Sequence, residues 1–315
     1  MLYVNRMNGG FDRLSLLATF VRIVERGSIS GAARDLGVSQ ASASRQLSAL
    51  EQQMGAHLIN RTTHGLSLTE AGSLCLADAR GLLDGWDGIL ERVGGHESNG
   101  ALRGPLKIVA PIALGQLHLA AAALDFQKDY PDVALTWLLL DETIRFAEIG
   151  CDLWIRVGPV PDDTLIVREL ASVERLVVAA PGFAKRHGPV DPLDLTGMPC
   201  AALTLYEGAQ LVLSRADGET RGLDAQVKFS TNNIFAVREA VLAGAGYAIL
   251  PRWMVGAELN RGALVDLLPG WRGERLTVNG AYQPAQRQTL RLSVFVEHIA
   301  EALAGIPGVA VPDKT

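Results

Sequence analysis

Cysteine is scarce in this 315-residue chain. Cys75, Cys151 and Cys200 are odd in number, widely spaced and without a C-x-x-C. That excludes a disulfide framework and leaves them as reduced core or helix-face thiols. A peroxide-sensing pair would need a basic cluster beside it, and none stands near them. There is also no uncharged apolar run long enough to span a bilayer and no signal-peptide core, so no membrane partner and a cytoplasmic location are expected. G-x-x-x-x-G-K-[ST], G-x-S-x-G and H-E-x-x-H are all missing. The six histidines (57, 64, 96, 118, 187 and 298) show no metal-ligand spacing,. Gly244-Ala245-Gly246 is a fragment of a dinucleotide fingerprint, but it follows a helix pattern and precedes a strand, the wrong order. No cofactor, no metal and no enzyme activity are expected.

What is present is a folded, globular composition, 48% hydrophobic, over a length that suggests two or three domains,. Its charge is uneven. Residues 1–68 carry seven arginines against four carboxylates, a surplus of three, which leaves −8 on the remainder of a chain whose total is −5. A basic head on an acidic body confines phosphate attraction to one end. Within that head, residues 28–69 read as two helices, a tight turn and a short hairpin. The helix over 30–36 stops at Gly37, and Ser39 caps a second helix over 40–54. Ala43, Leu47, Leu50 and Met54 recur at helical spacing as its buried stripe. Ala41, Ser44, Arg45 and Ser48 fall on the opposite side, small or hydrogen-bonding residues around one cation. Such a face can lie against a DNA duplex, although an ordinary helical pair with a solvated polar face has the same periodicity.

Asp12 opens a supporting helix with Leu14, Leu17, Val21 and Val24 on one face and Leu16, Phe20 and Ile23 beside it. Residues 1–10 are expected to be a disordered extension, with Met7 as the natural start. Residues 57–68 read as a wing around Thr62-Thr63-His64-Gly65, with Arg61 at its base, where it either reaches a phosphate or the minor groove or is an ordinary surface arginine. From Thr69-Glu70 a long helix runs to about residue 93. Its Cys75, Ala79, Leu82, Trp86, Ile89 and Val93 are spaced as a heptad seam, which a small winged domain cannot bury alone. Pairing with a second chain is expected; packing on its own body is the alternative. Residues 95–101 form a linker by composition. Beyond them strands and helices alternate, implying a mainly parallel sheet or two small sheets with a ligand cleft between two lobes. Separate strands are expected over 165–170 and 175–180. Strand ends are the candidate ligand positions: the Ala110–Gly115 loop, Asp141, and Asn232-Asn233, either of which alone could simply cap the next helix.

These residues resemble a LysR-type transcriptional regulator over positions 11–303. The likeness rests on Phe20-Val21 to Gly27-Ser28, Ala32-Ala33, Leu36, Val38-Ser39-Gln40, Ser44-Arg45-Gln46, Leu50-Glu51, Gly55, Leu58, Asn60-Arg61 and Leu68-Thr69-Glu70-Ala71-Gly72. In the body it rests on Ala110-Pro111, Tyr130-Pro131, Asp152-Leu153, Gly158, Asn232-Asn233 and Ala243-Gly244 to Leu250-Pro251. The resemblance implies an α/β chain with an N-terminal winged helix-turn-helix (11–68), a dimerisation helix (69–94), a hinge linker (95–101) and an effector-binding domain (102–306). That last domain would be two-lobed α/β, like a type II periplasmic binding protein, with one lobe over 102–173 and 283–306 and the other over 174–282. Implied DNA contacts are Ser39, Gln40, Ala41, Ser42, Ser44, Arg45 and Arg61. Implied effector contacts are Pro111, Ile112, Ala113, Asp141, Asn232 and Asn233. Implied partners are a partly palindromic double-stranded operator, a small-molecule effector, RNA polymerase, and further copies as a homodimer and homotetramer. Ala113 stands where many members carry Ser or Thr, Ala41 and Ser42 lack the proline common there, and Trp154 replaces a smaller residue. An effector-free architectural protein and an α/β enzyme with a DNA-binding head are the competing readings.

Overall fold

The computed structural model describes residues 12–62, 65–93, 102–188, 191–206, 211–284 and 289–312. The expected N-terminal extension, the wing tip at Thr63 and His64, and the linker at 95–101 lie outside the described residues, as do the side chains of Arg61 and Val93.

The chain opens with α1 (Arg13–Arg26), α2 (Ile29–Asp35) and α3 (Gln40–Met54). Each begins at a residue whose side chain takes up an otherwise unpaired backbone amide: Asp12 accepts from Ser15, Ser28 from Gly31, and Ser39 from Ser42,. Leu16, Leu17, Phe20, Val21 and Ile23 on α1 share one buried cluster with Ala32 of α2 and with Leu47 and Leu50 of α3. The turn before α3 depends on Gly37, whose φ of +65° is costly for any residue with a Cβ,. Met54 does not join the buried stripe; it is exposed in the last turn of α3. Gln46 is buried instead, its side-chain oxygen accepting from the Thr19 hydroxyl across the helix pair.

The wing consists of β1 (Ile59–Thr62) and β2 (Gly65–Leu68), antiparallel with Ile59 opposite Leu68. Glu51 of α3 fixes its start, accepting from Leu58 N at 2.8 Å and Ile59 N at 3.4 Å. The Thr69 hydroxyl donates to the His57 carbonyl and accepts from Gly72 N, joining the wing to α4 (Glu70–Val93).

The body follows as β3 (Gly104–Ala110), α5 (Ile112–Leu114), which widens into a π-helical turn at Gly115–Leu119 before α6 (Ala120–Asp129), then β4 (Val133–Leu139), α7 (Phe146–Ile149) and β5 (Leu153–Val157). The second lobe adds β6 (Ile166–Ala179), α8 (Pro181–His187), β7 (Pro199–Leu203), β8 (Leu211–Ser214), β9 (Thr220–Leu223), β10 (Gln226–Thr231), α9 (Ile234–Leu242), β11 (Tyr247–Pro251), α10 (Arg252–Asn260) and β12 (Val265–Asp266). The chain then returns through β13 (Arg272–Tyr282), α11 (Leu290–Ala304) and β14 (Val309–Ala310). The sequence pattern gave no sign of the β8–β9 hairpin, of α10 or of β14.

The strands make one mixed sheet with central order β10-β7-β11-β6-β13-β5-β3-β4, not a mainly parallel sheet or two small ones. Two parallel triplets, β4-β3-β5 and β10-β7-β11, are joined by the long antiparallel pair β6 and β13. The strands expected over 165–170 and 175–180 are therefore one continuous strand, because β6 crosses from lobe to lobe without a turn. β13 crosses as well. Its residues Val278–Ala281 pair with β5, so the return to the first lobe precedes the expected boundary at 282/283. In the first lobe Phe126 of α6 meets Phe295 of α11 edge-to-face, ring centroids 4.9 Å apart, over Ile108, Leu153 and Ile155 of the sheet. The opposite sheet face holds Trp154, fully buried with Val109, Ile144, Phe146 and Cys151. In the second lobe Val177, Cys200, Leu213, Leu223 and Tyr247 form one cluster. Leu176, Val178, Val237, Val241 and Leu250 form another.

Candidate functional site

The outer face of α3 carries Gln40, Ala41, Arg45 and Ser48 exposed, with Ser42 and Ser44 half-buried beside them. Because Ala41, Ser42 and Ser44 are short, the first two turns of the helix can approach a nucleic-acid backbone or groove closely. Arg45 has no ion-pair partner among the described residues, so its charge is not neutralised from within the fold. Ser39 is exposed too, but its hydroxyl oxygen already caps α3. Arg61 lies in β1 opposite Leu66, which brings its backbone to the wing. At the ends of α1 and α2, Arg26 grips Asp35 through two hydrogen bonds, which holds the Asp35 carboxyl below its usual range.

The helix α4 divides its apolar residues between two directions. Ala79 is buried and Cys75 packs against the same cluster as Phe20 and Leu47, so these two expected seam residues face the head's own core. This corrects the seam: a partner chain cannot reach Ala79. Leu82, Trp86 and Ile89 stay 59%, 45% and 43% exposed, and Leu74 is exposed with them.

In the body, Asp141 follows β4 and its Oδ1 accepts from Ile112 N at 2.9 Å. The amide that the loop after β3 offers is thereby satisfied by the protein's own carboxylate, whose pKa is raised by burial. Ala113 is buried in the cluster that contains Val178, Ala201, Val237 and Leu250, so the first-lobe loop meets the second lobe through a methyl group. Pro111 and Ile112 are half-buried. Asn233 caps α9, accepting from Phe235 N at 2.9 Å, while its own amide donates to the Thr231 hydroxyl at 3.2 Å. Asn232 is exposed. Among the described residues no hydrogen bond joins either asparagine to Asp141 or Ile112. Two surface cavities lie apart from this set, about 400 Å³ over α6 and about 360 Å³ beside Arg168, Tyr282 and Glu297.

A second contact between lobes had no local sequence signal. His118, on the π-helical turn, meets Trp253 of α10 edge-on, ring centroids 5.2 Å apart. His118 Nε2 and Trp253 Nε1 are both buried without a hydrogen-bond partner among the described residues. Burial lowers the His118 pKa. The thiols of Cys151 and Cys200 are pushed up to about 12 and about 11 by burial, which makes them poor nucleophiles,.

Two family models divide the chain between them. Bacterial regulatory helix-turn-helix protein, lysR family, matches residues 14–73, and the LysR substrate binding domain matches residues 99–304. The chain belongs to the LysR family of transcriptional regulators. Among curated relatives, the HTH-type transcriptional regulator PtxR of Pseudomonas aeruginosa is 31% identical over 295 residues, covering 93% of this chain and 94% of that protein. Among solved structures, CrgA, a LysR-type transcriptional regulator from Neisseria meningitidis, is 27% identical at a TM-score of 0.54, covering 93% of this chain and 99% of that one. ArgP from Mycobacterium tuberculosis shares the fold at 19% identity and a TM-score of 0.64, covering 94% and 99%. This LysR-family chain is thus a DNA-binding transcriptional regulator whose C-terminal body is an effector-binding domain. No helix among its described residues is long and apolar enough to cross a membrane.

Proposed function

We propose that α3 is the recognition helix, that Gln40, Ala41, Ser42, Ser44 and Arg45 meet DNA with Ser39 at its cap, and that Arg61 reaches it from the wing. The observation that carries this reading is the exposed, unpaired Arg45 among short side chains at the start of a capped helix. The head spans 11–68, the dimerisation helix 69–94 and the effector domain 102–306. Leu82, Trp86 and Ile89, exposed on one side of α4, are covered by the same helix of a second chain,. Two heads so joined would engage two half-sites of a partly palindromic operator. Further association to a tetramer, contact with RNA polymerase and a cytoplasmic location belong to the same reading, and catalysis does not.

The effector enters between the loop Pro111–Ala113 with Asp141 and the Asn232-Asn233 start of α9. The test of the DNA assignment is Arg45→Ala with DNA from upstream of the protein's own gene. A loss of affinity is expected, and unchanged affinity would sink the assignment.

A further inference from the structure

The linker helix α4 leaves the head and passes along the body, where it meets α7 at the corner that Gly150 turns. Gly150 has a φ of +59°, and its amide closes α7 by donating to the Phe146 carbonyl at 2.9 Å. A methyl group built on Gly150 would overlap the guanidinium of Arg80 from α4, so the arginine occupies the space that the missing side chain leaves. Arg80 is itself only 17% exposed and reaches back to Glu25 of α1, Nη2 to Oε1 3.8 Å. One side chain therefore touches the head at one edge and the body at another.

The corner it touches is firmly tied to the body. Lys107 of β3 donates from Nζ to the Ile149 carbonyl at 2.7 Å, and its backbone amide donates to the Asp152 carboxylate at 2.6 Å. Ile144 and Phe146, just before the corner, are buried against Trp154. At the other end of the same loop stands Asp141, bonded to Ile112 at the effector side. Eight residues thus separate Asp141, at the candidate ligand position, from Gly150 at the corner that Arg80 fills.

We propose that Arg80 is a positioning residue that sets the angle of the head against the effector body, so that displacement of the loop from Asp141 to Gly150 is felt at α1. The proposal rests on the reading of α3 as the DNA-binding helix, and it supplies a contiguous two-sided contact rather than mere proximity. An effector alters DNA engagement, on this view, by favouring one of two seatings of the Gly150 corner against α4.

The test uses the full chain and DNA from upstream of its own gene. In Arg80→Met, which keeps the stem but not the charge, amide hydrogen exchange over Phe146–Ile149 and Gly150 is expected to quicken about tenfold. The distance between the two protected stretches in a hydroxyl-radical footprint is expected to change while binding persists. Arg80→Lys should restore the footprint, a rescue that a purely packing role would not show. Glu25→Gln combined with Arg80→Met should depart from additivity in DNA affinity by about threefold or more. Gly150→Ala, which displaces the guanidinium without altering α4, should reproduce the altered footprint. If it instead leaves exchange and footprint as in the wild type, the proposal is overturned, even where Arg80→Met fails to fold. Arg45→Ala separates the two readings: unchanged affinity there defeats the DNA assignment, whereas a wild-type footprint in Arg80→Met defeats the coupling alone.

Discussion

In the head, all the residues assigned to DNA except Arg61 of the wing follow one another from Ser39 to Arg45, whereas in the body the residues assigned to the effector come from three separated strand ends between Pro111 and Asn233. The first set needs only a capped helix and a buried face to be correctly placed. The second needs the register of a mixed sheet, because the lobes are connected by two strands that each run the length of the crossing. Side-chain chemistry differs in the same way. The face assigned to DNA keeps an unpaired cation turned outward, while Asp141 is engaged by a backbone amide at the start of α5 and Asn233 by one at the start of α9.

This contrast makes the two ends separable by substitution, and the largest effect belongs to the body. Trp154→Ala removes a fully buried indole and should cost about 3–5 kcal/mol of body stability. Calorimetry should show the body transition falling while the head, whose core shares none of those residues, is unmoved. Leu82→Asp or Trp86→Asp should weaken association by about 1.5–3 kcal/mol per chain. Sedimentation would detect the loss, and an unaltered assembly would contradict a partner on α4. Arg45→Ala should cost about 1–3 kcal/mol of DNA affinity if the arginine reads a guanine, with no change in body stability.

The smallest effect is one of pH. Because the folded His118 pKa lies below its ordinary value, the unfolded chain takes the proton first. Stability at this site is complete above about pH 6.5 and declines as pH falls toward the folded value. His118→Leu should flatten that decline in denaturation curves recorded across the range. A decline of equal slope in the variant would place its origin elsewhere.

Much of the head could be read from residue order alone. Ser39, the glycine turn at 37 and the recurrence of Leu47 and Leu50 are signals within one or two helical turns, and they placed α3 from Gln40 to Met54. Where the reading erred there, the cause was tertiary. Met54, in the last turn of α3, stays outside the cluster that buries Leu47 and Leu50, and Ala79 is claimed by the head's own core before any partner can meet it. In the body, individual strands are legible from apolar runs, but β6 reads as two because Ser172 and Glu174, in the stretch between 170 and 175, interrupt the apolar run and resemble a break. Neither the His118–Trp253 contact nor the Arg80–Gly150 contact leaves a trace in local spacing. Their partners stand 135 and 70 positions apart in the chain.

The passage of β6 and β13 through both lobes has a consequence for biosynthesis. The first lobe cannot be completed when its own early strands have been made, since β13 and α11 are the last large elements to be translated. The head depends on none of this. Its hydrophobic core closes within residues 16–79, so it can fold as the nascent chain emerges from the ribosome, while the second lobe is still unwritten,. A nascent chain therefore presents its DNA-binding surface before it possesses the domain that governs it.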